Sequence, residues 1–367
     1  MSRRSLLGAL GVGGLALATG LPASAATRTV STVYIGSYTS WGTPAGPGLQ
    51  VGSVDPQTGK LTITGTVRNV VDPSWFCYSV DRRFLFSTNE SDAGRVSSFS
   101  LANPAKPVLV NSQPAKGGGT THLNLFNGYL IASNYNDGKV SVLPVGADGR
   151  IGAVTDVVTH KGDNRAAHAH QTVTDPSGKW LVSVDLGADS VYVYSLQNGK
   201  LKQNQQLKLP VGLGPRHVAF HPGGRFAYIL GELRSEVTVA AWDAAAGKLT
   251  PGQVISTLGD AKPAENYPGE VAVSPDGRFV YASNRGHNSI AMFSVDATGK
   301  QLSFVSTTPC GGVWPRHFTL DPTGRWVYVS NQQSNTVNWL PRDPASGKLG
   351  ASAGSVSVGN VAIVSFK

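Results

Sequence analysis

Cysteine is scarce in this chain of 367 residues: there are two, Cys77 and Cys310. Neither stands in a Cys-x-x-Cys pair or at metal-ligand spacing, so a thiolate metal centre is excluded. In an oxidising compartment the two could close one disulfide between distant repeat units. Charge is also sparse, at 14% of residues, while Gly (44) and Pro (22) are abundant, which disfavours helical bundles and points to turn-rich all-β structure. Disorder is disfavoured too, because the 40% apolar content falls in short alternating runs. The formal charge is +9, yet no Lys/Arg run of nucleic-acid type occurs. Past the N-terminal stretch, no segment is long and apolar enough to span a bilayer. There is no H-E-x-x-H pair, P-loop or G-x-G-x-x-G turn, and Gly117-Gly118-Gly119 carries no phosphate-binding mark. The motifs of zinc and nucleotide chemistry are therefore missing, and no cofactor is implied.

A repeat is present instead. Turns of the form Asp/His/Ser-Pro-x-Gly end at Gly178, Gly224, Gly277 and Gly324, spaced 46, 53 and 47 residues apart. Each is followed by an aromatic residue and an apolar run, and a second mark recurs at Gly59-Lys60-Leu61, Gly199-Lys200-Leu201, Gly247-Lys248-Leu249 and Gly347-Lys348-Leu349. Strand-like segments between turns at this period are the signature of a β-propeller. Six complete units align, with second strands at 84–88, 129–133, 180–184, 226–230, 279–283 and 326–330. Val33–Ser37 resembles a seventh second strand that lacks its first, and Val361–Phe366 is an apolar run with no blade of its own. Pairing the two ends completes seven blades in one domain, 26–367, and removes two open sheet edges. The aromatic after each turn is expected to pack between blades.

The N-terminus reads as an export segment, 1–25. Arg3-Arg4 precedes a Gly/Ala-rich apolar stretch, and Ala23-Ser24-Ala25 offers a cleavage site. The paired arginines suggest the twin-arginine route, although Leu6 stands where that signal often carries Phe. An ordinary secretory signal leads to the same compartment. Loss of Arg3 and Arg4 lowers the charge from +9 to +7. The expectation is an exported, monomeric protein with no membrane anchor.

Residues that break the repeat where strands meet the mouth are candidates for chemistry. Five positions before the turn the units read His170, Arg216, Gly269 and Arg316. Just after the second strand they read Glu90, Tyr135, Leu186, Glu232, Arg285 and Gln332. A scaffold needs no such set of His, Arg and Glu. Read structurally, Glu232 could be an ion pair with Arg234 or Arg216, and His168 and His170 could be hydrogen-bonded channel residues. His122 is read as structural and His221 as a turn residue. His168, His170 and His217 with arginines nearby make a poor cation site, so no metal is expected.

The segments Ala167-His168-Ala169-His170, Gly214-Pro215-Arg216-His217-Val218, Ile229-Leu230-Gly231-Glu232 and Tyr281-Ala282-Ser283-Asn284-Arg285 resemble the lactonase-type seven-bladed propellers. That family includes propeller 6-phosphogluconolactonases and the fungal carboxy-muconate cyclase. The resemblance spans the chain after the export segment and implies a lactone hydrolase or lactone-forming enzyme. By motif position it implies a site of His170, Arg216, Arg285 and Glu232, with His168, His217 and Arg316 around it. Arginine forks can hold an anionic group and a developing oxyanion. Either Glu232 or His170 could activate water, and His170 could instead protonate the leaving ring oxygen. The partner is a small lactone, possibly anionic, with no nucleic acid. Export disfavours phosphorylated sugars, which are cytoplasmic. A non-catalytic binding propeller is the alternative, and the Gly/Pro-rich stretch 38–48 with Trp41 could shape one rim.

Overall fold

The structure is a computed structural model that describes residues 30–367. The expected export segment 1–25 and the first residues of the expected domain 26–367 lie outside the described residues. Seven four-stranded antiparallel sheets follow one another around a ring. Six are consecutive meanders, and the seventh takes its innermost strand, Val361–Phe366, from the C-terminus. That strand pairs with Ser31–Ser37 in the register Val33↔Phe366 to Ser37↔Val361, so the two loose apolar ends close the ring as expected. Its central residues Val361, Ala362, Ile363 and Val364 are buried. The expected second strands are found, running a residue or two further at Phe84–Asn89, Tyr129–Asn134, Phe226–Gly231, Phe279–Arg285 and Trp326–Asn331. In the remaining unit the strand is Leu181–Asp185.

The core is divided by blade. Each of the seven hydrophobic clusters draws on two adjoining blades; Val182, Val193, Ile229 and Trp242, for instance, join the fourth and fifth. The two sequence marks meet at these interfaces. A Cβ on Gly247 would lie 2.5 Å from the Trp180 ring of the preceding blade, and Gly247 has φ +63°, so close approach and backbone conformation both demand glycine. Trp180 Nε1 donates to Ala244 O at 2.9 Å in the same turn. Trp326 against Gly59 and Phe279 against Gly347 repeat the arrangement. The Gly-Lys-Leu mark is thus the socket for the neighbour's aromatic residue, and the period of the repeat is the period of this contact.

The first strands of successive blades touch one another and line the axis. Cys77 and Cys310 are free thiols, so the pairing open to them is not made. Among the described residues no helix is long and apolar enough to cross a membrane.

Candidate active site

Two columns of residues face the mouth, one position from each blade in either column. On the first strands the column reads Ala362, Ser74, Thr121, His170, Arg216, Gly269 and Arg316. After the second strands it reads Tyr38, Glu90, Tyr135, Leu186, Glu232, Arg285 and Gln332. The first column has a local cause. The ladder slips between Thr120 and His122, Ala169 and Gln171, Pro215 and His217, and Pro315 and His317, so Thr121, His170, Arg216 and Arg316 are each the unpaired residue of a bulge. A bulge frees a residue from the ladder and re-aims its side chain. Pro215 and Pro315, which have no N–H to offer, open the strands at that point.

These columns converge on one cavity of about 160 Å3, lined by Glu90, Thr121, Tyr135, His170, Arg216, Glu232, Arg285 and Arg316. Glu232 is its hub: one carboxylate oxygen lies 2.7 Å from Arg285 Nη2 and 3.0 Å from Arg216 Nε. Arg216 is further tied through Nη1 to Gly269 O, and Arg285 donates from Nε to Tyr267 O at 2.7 Å. Across the cavity Glu90 accepts from the Tyr38 hydroxyl at 2.7 Å and faces Arg316 Nη2 at 3.5 Å. Three guanidiniums against two carboxylates leave the cavity net positive.

His170 is buried, and its Nδ1 has no hydrogen-bond partner. Burial, followed by the charges of Arg216, His217, Arg316 and Arg285, holds its pKa well below the usual imidazole value. At neutral pH it is an uncharged base. Burial and then the neighbouring Arg285 draw Arg216 down to about 9, which still leaves it cationic at pH 7. Burial, and then the Glu232 carboxylate, raise the Tyr135 phenol.

Beneath the cavity lies a second layer. Glu270 accepts Val271 N–H at 2.9 Å and bonds His217 Nδ1 at 2.8 Å, leaving His217 Nε2 at 3.3 Å from Arg216 Nη1. With its Nδ1–H donating to Glu270, neutral His217 presents its Nε2 lone pair to the arginine. His317 Nε2 stands 3.5 Å from the other Glu270 oxygen. His122 packs against Trp75 with ring centroids 4.1 Å apart and planes tilted by 34°. Burial lowers His122 and His217 well below the usual histidine value and takes His317 to about 4, while it raises Glu270.

Of the residues singled out from sequence, His170, Arg216, Glu232, Arg285 and Arg316 come together in the cavity and His217 lies directly beneath. His168 does not join them. Its Nδ1 bonds Tyr135 O at 2.8 Å and its ring stacks on Tyr135 at 4.4 Å, so it steadies Tyr135 rather than His170. Arg234 turns away to Val211 O, leaving Arg216 and Arg285 as the partners of Glu232. His221 is a turn residue, its carbonyl accepting Gly224 N–H at 2.8 Å. Glu270 and His317 were not singled out, although Pro315-Arg316-His317 repeats Pro215-Arg216-His217 and Pro268-Gly269-Glu270 occupies the same column. Among the described residues no group of three or more His, Cys, Asp or Glu is placed to hold a metal ion.

Comparison with known proteins adds an independent line. A family model described as lactonase, 7-bladed beta-propeller, matches residues 32–366. A 6-phosphogluconolactonase of Bacillus subtilis is 31% identical over 342 residues, covering 91% of this chain and 97% of its own. A second protein of that name, from Formosa agariphila, is 29% identical over 341 residues, with 86% and 94% of the two chains covered. The solved structure of a periplasmic gluconolactonase from Pseudomonas aeruginosa superimposes with a TM-score of 0.85 at 31% identity, over 92% of this chain and 99% of that one.

Proposed function

This chain belongs to the seven-bladed lactonase propeller family, and on that premise we propose that it is an exported hydrolase of an unphosphorylated sugar-acid lactone. The observation that carries the proposal is a buried, neutral His170 with an unpartnered Nδ1 in the same small cavity as three guanidiniums. A lactone carbonyl needs a base for water, a place for negative charge, and a proton for the departing ring oxygen; those groups supply all three.

The lactone sits with its carbonyl oxygen toward Arg216 and Arg285. His170 takes a proton from water as the water oxygen bonds to the carbonyl carbon. The carbonyl oxygen becomes an oxyanion, stabilised by arginine N–H groups that Glu232 already holds in place. The bond between carbonyl carbon and ring oxygen then breaks, and the ring oxygen takes the proton from the imidazolium. The product is the open hydroxy acid, which ionises at neutral pH. The field around His170 makes this step selective: its cationic neighbours suppress protonation in the free protein, and charge developing on the oxyanion relieves that suppression. One Glu232 oxygen is paired with two arginines, which favours an orienting role over that of the water's base.

An anionic group on the substrate would be held by Arg316 and the remaining arginine N–H groups. The export segment 1–25 favours an unphosphorylated sugar, and the Pseudomonas neighbour is described as periplasmic. The test is pH-stat hydrolysis of glucono-1,5-lactone, its 6-phosphate and a muconolactone, alongside the N-terminal sequence of the exported protein. The expected result is turnover of the unphosphorylated sugar lactone ahead of the other two, with processing after Ala25. Acid release no faster than the uncatalysed rate on all three would overturn the proposal.

A further inference from the structure

A second cavity, of about 370 Å3, opens beside the first between the seventh and first blades. It is lined by Trp41, Trp314, Gln332, Gln333, Asn335 and Arg316, among others, and the Arg316 side chain is the wall shared with the central cavity. Two indoles and several planar amides beside an opening are the chemistry that recognises a sugar ring. Aromatic faces cover the C–H face of a pyranose, and amides match its hydroxyl groups. We infer that this cavity is a subsite for a second sugar ring, so that the substrate is a glycosylated aldonolactone rather than a free one. The inference rests on the lactonase reading above and names the substrate class of that same site.

Both indoles are held in place. Trp41 is 49% exposed, and its ring lies 4.2 Å from that of buried Tyr38. The segment bearing it is pinned at both ends. Asp72 accepts Thr39 N–H at 2.7 Å and Ser40 N–H at 3.0 Å, and Asn360 Nδ2 donates to Trp41 O at 2.6 Å. Asn360 Oδ1 also accepts from Gln332 Nε2 at 2.9 Å, joining the amides to the aromatic wall. Trp314 has φ +65°, a left-handed conformation that a bulky side chain adopts only when its surroundings impose it. Asn288 Oδ1 accepts its N–H at 2.8 Å, and its carbonyl accepts Gln332 N–H at 3.0 Å. That conformation lays the indole beside the Arg285 guanidinium, 5.5 Å from the ring centroid, linking the subsite to the catalytic cavity on a second side.

The test compares glucono-1,5-lactone with cellobiono-1,5-lactone on wild type, Trp41→Ala and Gln333→Ala, and measures cellobionate binding by titration calorimetry. Trp41 and Gln333 lie outside the catalytic cavity. The inference predicts a kcat/KM at least tenfold higher for the disaccharide lactone in wild type. Trp41→Ala should abolish that preference and Gln333→Ala reduce it, while turnover of gluconolactone changes less than threefold. Cellobionate should bind wild type, with at least tenfold loss in Trp41→Ala. Equal kcat/KM for the two lactones together with no binding of cellobionate would overturn the subsite and leave the lactonase reading standing. Cellobionate binding that depends on Trp41, with neither lactone hydrolysed, would retain the subsite and overturn the lactonase reading.

Discussion

Unfolding this protein at mildly acid pH should take up about three protons per chain, because four histidines are buried without charge around one axis. His122, His170 and His217 are held well below the usual histidine value and His317 near 4, each chiefly by burial. A histidine of ordinary pKa, about 6.5, is roughly nine-tenths protonated at pH 5.5 once the chain unfolds. Four of them bind about 3.6 protons in the unfolded state and almost none in the folded one. Glu270 works in the opposite direction, since burial raises it in the fold and it can release up to one proton on unfolding. The sign follows from linkage. The unfolded state binds more protons, so stability is undiminished above about pH 6.5 and falls as pH drops below it. Each histidine costs about 1.4 kcal/mol over the first unit, so the set is worth on the order of 5 kcal/mol at pH 5.5. Urea unfolding in unbuffered solution, with back-titration to constant pH, counts the protons without a two-state assumption. About three at pH 5.5 and close to none at pH 8 is the expected result. Fewer than one at pH 5.5 would refute the reading of a neutral histidine layer, and with it His170 as a ready base.

Two further predictions concern the parts that hold the site. Glu270→Ala should lower kcat/KM about tenfold by releasing His217 and loosening Arg216. Glu270→Gln keeps an oxygen for His217 Nδ1–H and should stay within about threefold of wild type, and steady-state kinetics on both variants checks this. Gly247→Ala should destabilise the fold by about 1–3 kcal/mol, measured as a shift in the urea midpoint with activity per folded molecule unchanged. Its φ is +63° and the new Cβ would meet the Trp180 ring at 2.5 Å.

The blade count and closure were legible because they rest on local chemistry repeated at fixed intervals. The turn glycines, the following aromatic residues and the two unpaired apolar ends each have one simple use. His170, Arg216 and Arg316 stood out because they share one position, five residues before the turn, where a scaffold needs only a small residue such as Gly269. Glu232 and Arg285 stood out in the column after the second strands, and Glu90 and Tyr135 were visible there without a role. Their role comes from convergence across the axis, where Glu90 meets Tyr38 from the neighbouring blade and Arg316 from the far side of the chain. The layer of Glu270, His217 and His317 joins three blades, and no local pattern encodes which column positions touch. His168 shows the converse. Two positions from His170, it looked like its support, but the bulge at His170 turns the pair apart and His168 stacks on Tyr135.

The most direct test of the central claim is kcat/KM for glucono-1,5-lactone between pH 5.5 and 8 in wild type, His170→Gln and Glu232→Gln, with folding checked by near-UV circular dichroism. The account predicts an essentially flat wild-type profile across this range, because His170 is already neutral at its acid end. It also predicts a loss of about 100-fold or more in folded His170→Gln, within the range for a positioned base, and at least tenfold in Glu232→Gln. A wild-type profile falling with an apparent pKa near 6.5, or a folded His170→Gln as active as wild type, would contradict it.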